Sequence, residues 1–162
     1  MDPLAELPGA DDFEALLARE ELRRGRTGEL LAVAMIDVDE LRSVNRELGA
    51  TAGTEVLRMC VTTLRATLRA VDEIARTGPD EFAVLLHGTE SRSAAVWADR
   101  FQDELAAGSF ELEAGPITCA VGIADTASAT LIEAAAKAHR RMEVIQTMRK
   151  LKRRGADRPD PG

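Results

Sequence analysis

The 162-residue chain is short of what several functional classes require. It has two cysteines, Cys60 and Cys119, each among apolar neighbours in a predicted helix and a predicted strand. That excludes a disulfide framework, and both read as buried free thiols. Its two histidines, His87 and His139, lie far apart with no metal-ligand spacing around them, and neither is expected to have a role. No uninterrupted apolar stretch reaches the roughly 20 residues that a membrane span needs. The opening MDPLAELPGADD lacks both the basic and the apolar region of a signal peptide, so a cytoplasmic location is expected. Basic charge is scarce as well: a net charge of -7 argues against general nucleic-acid binding, which wants a basic surface. The local exception is Arg149 to Arg154, RKLKRR, with five positive charges.

What is present suits one domain, large enough at 17.5 kDa to build a core without staples. The expected boundary places the domain at residues 1–150 and a basic, disordered tail at 151–162. Asp72 to Leu86, DEIARTGPDEFAVLL, reads as a hairpin: one strand over 72–76, another over 82–86, and turn chemistry at Thr77-Gly78-Pro79-Asp80. Adjacent carboxylates, Asp80 and Glu81, stand at its tip. Leu30 to Val38 is a nearly continuous apolar run, as a central strand buried on both faces should be, and it closes on Asp37 and Asp39. Two acidic strand ends brought together can hold a hard divalent cation such as Mg2+. Asp39 taken alone reads as a cap for the next helix.

Amphipathic helices are expected over 11–24, 40–48, 54–70 and 91–107, the second stopping at Gly49, and a last helix from about Thr130 to Arg153. Phe110 to Leu112 and Ile117 to Ile123 read as a second hairpin turning at Gly115-Pro116. This order describes an α+β fold, a central, mostly antiparallel sheet with helices packed on it.

The motifs Asp37-Val-Asp39-Glu-Leu41-Arg42-Ser-Val-Asn45, then Gly49 and Gly53, then Arg76-Thr-Gly78-Pro79-Asp80-Glu81-Phe82 resemble the GGDEF family of diguanylate cyclase domains. The opening Asp2-Pro3-Leu4, Leu7-Pro8 and Phe13 follow that family's first segment, so the resemblance covers Asp2 to about Ile145. It implies a ferredoxin-like palm and the joining of two GTP into cyclic di-GMP across two facing domains. By resemblance Asp37 and Asp80 hold the metal, Glu81 stands beside them as a third catalytic carboxylate, and Asn45 and Gly78 belong to the nucleotide site. Mg2+ is the implied cofactor if GTP still binds.

The departures are specific. The signature's second glycine is Pro79, which removes an N–H and fixes φ near -65°. The aspartate that completes guanine recognition is Thr54. The phosphate-binding lysine and arginine fall at Glu143 and near Thr147, with Lys137 or Arg140 as substitutes if the register slips. Upstream, Arg69-Ala-Val-Asp72 stands where the family has its inhibitory cyclic di-GMP site, and Arg100 where a further arginine takes part. The bland alternative is a surface i, i+3 ion pair between Arg69 and Asp72.

The leading expectation is therefore a catalytically degenerate domain acting as a cyclic di-GMP receptor, with ligand-promoted homodimerisation. The alternatives are a weak Mg-dependent diguanylate cyclase and a non-catalytic interaction module with a protein partner still to be found. The cyclase reading also suffers because the chain opens at the family's first motif, with no upstream segment to pair two active sites.

Overall fold

The computed structural model describes residues 2–156. Five helices, α1 (Ala10–Thr27), α2 (Leu41–Leu48), α3 (Ala50–Thr67), α4 (Ser91–Ser109) and α5 (Leu131–Ala156), accompany four strands, β1 (Leu31–Val38), β2 (Glu73–Gly78), β3 (Glu81–His87) and β4 (Cys119–Asp125). The strands form one antiparallel sheet in the order β2-β3-β1-β4. The expected α+β class is what folds.

Period-two alternation explains why β1 is apolar throughout. Ala32, Ala34, Ile36 and Val38 face one layer, where they meet Val56, Leu57, Cys60, Phe101 and Leu105 of α3 and α4. Leu31, Val33 and Met35 face the other, against Phe13 and Leu17 of α1 and Leu131, Ala134, Ala138 and Met142 of α5. Asp37 continues the second set, so it points at α5 where the apolar seam ends. Gly122 of β4 allows α5 its close approach: a Cβ there would lie 2.0 Å from the Ala138 carbonyl oxygen and 2.4 Å from the Met142 nitrogen.

Three expectations are corrected. Phe110 to Leu112 forms turns and no strand, so there is no second hairpin; β4 pairs with β1 instead. The cause is local: the buried Ser109 hydroxyl donates to the Leu105 carbonyl at 2.6 Å and accepts the Ile117 N–H at 2.8 Å, ending α4 and bringing the chain straight to the sheet. Secondly, α3 begins at Ala50, with Gly49 (φ 93°) between it and α2, and it ends before Arg69. Thirdly, α5 continues through 151–156, where a tail was expected, while 157–162 lie outside the described residues. No helix among the described residues is long and apolar enough to cross a membrane.

Candidate functional site

The β1–β3 register sets Asp37 opposite Glu81, and the Val38 N–H donates to the Asp80 carbonyl at 2.9 Å, so the two acidic strand ends do converge. Burial pushes the Asp37 carboxyl up to about 6; the Asp80 carboxylate adds to this, a hydrogen bond from Gln146 works against it, and Glu81 and Asp39 raise it further. A cleft of about 400 Å³ opens here, with Asp37 and Asp80 on one side and Arg42, Gln146, Lys150 and Arg153 around it. Carboxylates at this spacing repel one another, and a hard cation with open coordination positions relieves that repulsion. The donor set therefore fits Mg2+, with Asp37 and Asp80 as the residues that would hold it.

Glu81 is engaged elsewhere. It accepts from Thr77 Oγ1 at 2.7 Å and contacts His139 Nε2 at 2.9 Å, while His139 Nδ1 faces Glu143 at 2.6 Å. Asp39 makes no cap. Its side chain, 6% exposed, accepts from Thr118 Oγ1 at 2.7 Å and pairs with Arg149, so the cap expectation gives way to a buried ion pair reaching from α5. The hairpin turn places neither Gly78 nor Pro79 in the left-handed region. Arg76 instead braces it, donating to the Gly78 and Pro79 carbonyls at 3.3 and 2.6 Å. A turn of this shape accepts proline at its tip.

Where a base would sit, Asn45 is exposed near the end of α2 and leans over Gly53: a Cβ on Gly53 would be 1.8 Å from its Oδ1. Thr54 spends its hydroxyl on the Ala50 carbonyl, 3.0 Å away in its own helix.

A second constellation lies at the other end of β3. Arg69 follows α3, so the helical i, i+3 surface pair is replaced by a built turn. The Asp72 side chain, 2% exposed, accepts from the Arg69 backbone N–H at 3.0 Å, from its guanidinium at 3.3 and 3.2 Å, and from the His87 N–H at 3.1 Å. The same guanidinium edge donates to the His87 carbonyl and to Thr89 Oγ1. Among the described residues Nη1 makes no hydrogen bond to protein, and Arg69 lines an open depression of about 530 Å³ together with Glu6, Arg65, Leu68, Asp72 and Ile74. Arg100 is not brought here: it pairs with Glu104 on α4 at 3.0 Å.

The sequence profile described as "Diguanylate cyclase, GGDEF domain" matches residues 1–158. The chain belongs to the GGDEF family. The diguanylate cyclase DgcP of Pseudomonas aeruginosa is 37% identical over 124 residues, 75% of this chain and 18% of DgcP. TpbB, a diguanylate cyclase of the same species, is 42% identical over 85 residues, 52% of this chain and 20% of TpbB. The chain thus spans about a fifth of the length of these curated relatives. In three dimensions it resembles the isolated GGDEF domain of TpbB, with a TM-score of 0.75 at 32% identity over 90% of this chain and 87% of that one. The GGDEF domain of Caulobacter crescentus DgcB, solved with c-di-GMP, matches with a TM-score of 0.78 over 87% of this chain and 86% of that one; at 19% identity that likeness carries the fold alone.

Within this GGDEF domain several site residues escaped sequence reasoning. Lys150 and Arg153 read as part of a solvated basic end and Gln146 as no motif at all, yet their spacing of four and three puts them on one helix face, toward the acidic cleft. Neither expected substitute serves there: Lys137 lies near Asp125, and Arg140 does not line the cleft. His139 carries no motif: Glu143 is four residues on along α5, and Glu81, its other partner, meets it only through the packing of α5 on the sheet.

Proposed function

We propose that this GGDEF domain is a cyclic di-GMP receptor of low or absent cyclase activity, and that Arg69 makes the principal contact. The observation that supports this is the Arg69 turn. Asp72 and the His87 carbonyl hold Nε and Nη2 of the guanidinium, which leaves Nη1 as a pre-oriented donor on a side chain that lines the depression. The remaining Nη1 N–H groups can each donate a single charge-assisted hydrogen bond, to a guanine oxygen or a phosphate oxygen, and a fixed donor loses little freedom on binding. Asp72 acts through Arg69, since its own oxygens are already occupied. Arg100 would join from a second copy sharing the ligand. The test is calorimetric titration with cyclic di-GMP of the wild type and of Arg69→Lys, which keeps the charge and loses the guanidinium that Asp72 and His87 hold in place. Loss of binding in the variant supports the reading, and equal binding removes it.

A weak Mg-dependent diguanylate cyclase remains the second reading, favoured by the raised Asp37 carboxyl beside Asp80. In that reading Mg2+ shields the triphosphate and helps activate a ribose hydroxyl. Lys150 and Arg153 replace the cations lost at Glu143 and Thr147. Incubation with GTP and Mg2+ decides it. The account predicts turnover at least a hundredfold below that of an intact domain, since one lost transition-state donor costs about 10²–10³. Full activity abolished by Asp37→Ala would make the enzyme reading the correct one.

A further inference from the structure

The histidine at the end of β3 lies in a carboxylate cage unrelated to the Asp37 cleft. His87 Nε2 is 3.0 Å from Glu73 Oε2, and Nδ1 is 3.3 Å from Glu29 Oε1. Glu20 of α1 completes the group: single ligand atoms of Glu20, Glu29 and His87 lie within 4.8 Å of one another. The Glu20 side chain is 7% exposed and His87 12%, and Glu20 has only long contacts to its arginine neighbours, 3.8 Å to Arg19 and 3.5 Å to Arg23. A depression of about 440 Å³ gives access from solvent.

We propose that Glu20, Glu29 and His87 bind a divalent transition-metal ion of the Zn2+ class, with Glu73 orienting the histidine from behind. Three features converge on this. Both ring nitrogens face carboxylate oxygens, so once Nε2–H is donated to Glu73, Nδ1 turns a lone pair on Glu29 and a cation belongs between them. A carboxylate holding the far nitrogen is the arrangement by which metal-ligating histidines are fixed in tautomer and rotation. The spacing is also right: two ligands each about 2.1 Å from a tetrahedral zinc stand about 3.4 Å apart, close to the Nδ1–Oε1 distance observed. One imidazole with two carboxylates favours zinc-like ions over Mg2+, which prefers oxygen ligands and retained water. The fourth position is open to water. Because the His87 N–H and carbonyl also hold Asp72 and Arg69, an ion here ties α1 to the Arg69 turn.

The test is calorimetric titration of the chelator-treated full chain with ZnCl2 in excess Mg2+, so that the Asp37 cleft does not report, with unfolding followed in parallel. The expected result is one Zn2+ per chain and a raised melting temperature. Affinity should fall about tenfold or more in Glu29→Gln and in Glu20→Gln, and by about tenfold in Glu73→Gln. Co2+ in place of Zn2+ should give the visible absorption of a tetrahedral site, lost in His87→Gln. Circular dichroism of each variant establishes that it folds. Absence of stoichiometric binding, or Zn2+ binding that Glu29→Gln and Glu20→Gln leave intact, overturns the proposal. Neither outcome bears on cyclic di-GMP, which is titrated separately.

Discussion

At the scale of single residues, Asp37 carries a measurable strain. Its folded pKa, about 6 against an ordinary 3.8, means that its contribution to stability is fully present below about pH 4 and lost as the pH rises through 6. Glu21, held low by Arg24, works in the opposite sense, so the difference between wild type and Asp37→Asn isolates the effect. Urea unfolding should show the variant gaining about 1 kcal/mol on the wild type between pH 4 and 7, less than the shift alone implies because half the group faces water. Mg2+ should narrow that gap by stabilising the wild type. A constant difference across this range would mean that the Asp37 carboxyl is neither buried nor crowded by Asp80. Asp72 is the contrasting carboxylate, buried and fully paired. Arg69→Ala should destabilise the fold by about 1–2 kcal/mol, which is why the lysine variant is the better binding probe.

At the scale of elements, α5 shapes the acidic end of the sheet. Its Ala134, Ala138 and Met142 lie on the sheet, and Gly122 of β4 is what lets them. Since a Cβ there would strike backbone atoms that cannot rotate away, Gly122→Ala should cost about 3 kcal/mol and lower the melting temperature by roughly 6–12 °C. An unchanged melting curve would show that the helix packs otherwise. Further along, Arg149 neutralises the buried Asp39 while Lys150 and Arg153 reach the cleft, so truncation at 149 exposes the acidic site.

Legibility followed the range of the interactions. The β2–β3 hairpin was readable because its turn chemistry is local, and β1 because burial on both faces leaves a run of apolar residues. The supposed hairpin at Phe110 failed because one serine hydroxyl, Ser109, outweighed a short apolar pattern. Asp37, Asp80 and the Arg69–Asp72 pair were visible as motifs. Lys150, Arg153, the His139–Glu81 contact and the His87 cage were not, since the groups they meet lie more than ten residues away in sequence and come together only through packing.

At the scale of the whole molecule, β3 separates two chemistries. The acidic cleft lies at its Glu81 end and the Arg69 turn at its His87 end, about 20 Å apart for a strand of this length. A ligand at one is therefore remote from the other. Cyclic di-GMP is two-fold symmetric, so if the proposed Arg69 site takes one half of it, a second copy of the chain can take the other, with the exposed Arg100 available to it. Light scattering should show the mass rising toward a dimer when cyclic di-GMP is added, and returning to the ligand-free value in Arg100→Ala if that residue bridges the copies. Equal mass with and without ligand would reduce the receptor to a monomeric one.

Whether Arg69 reads cyclic di-GMP, as proposed, is decided by calorimetric titration of the ligand into wild type, Arg69→Lys and Arg69→Ala. The account predicts saturable binding to the wild type, weakened at least tenfold in the lysine variant and abolished in the alanine variant, with both variants still folded. No heat of binding to the wild type, or equal affinity in all three, would contradict it and leave the Arg69–Asp72 turn a structural one.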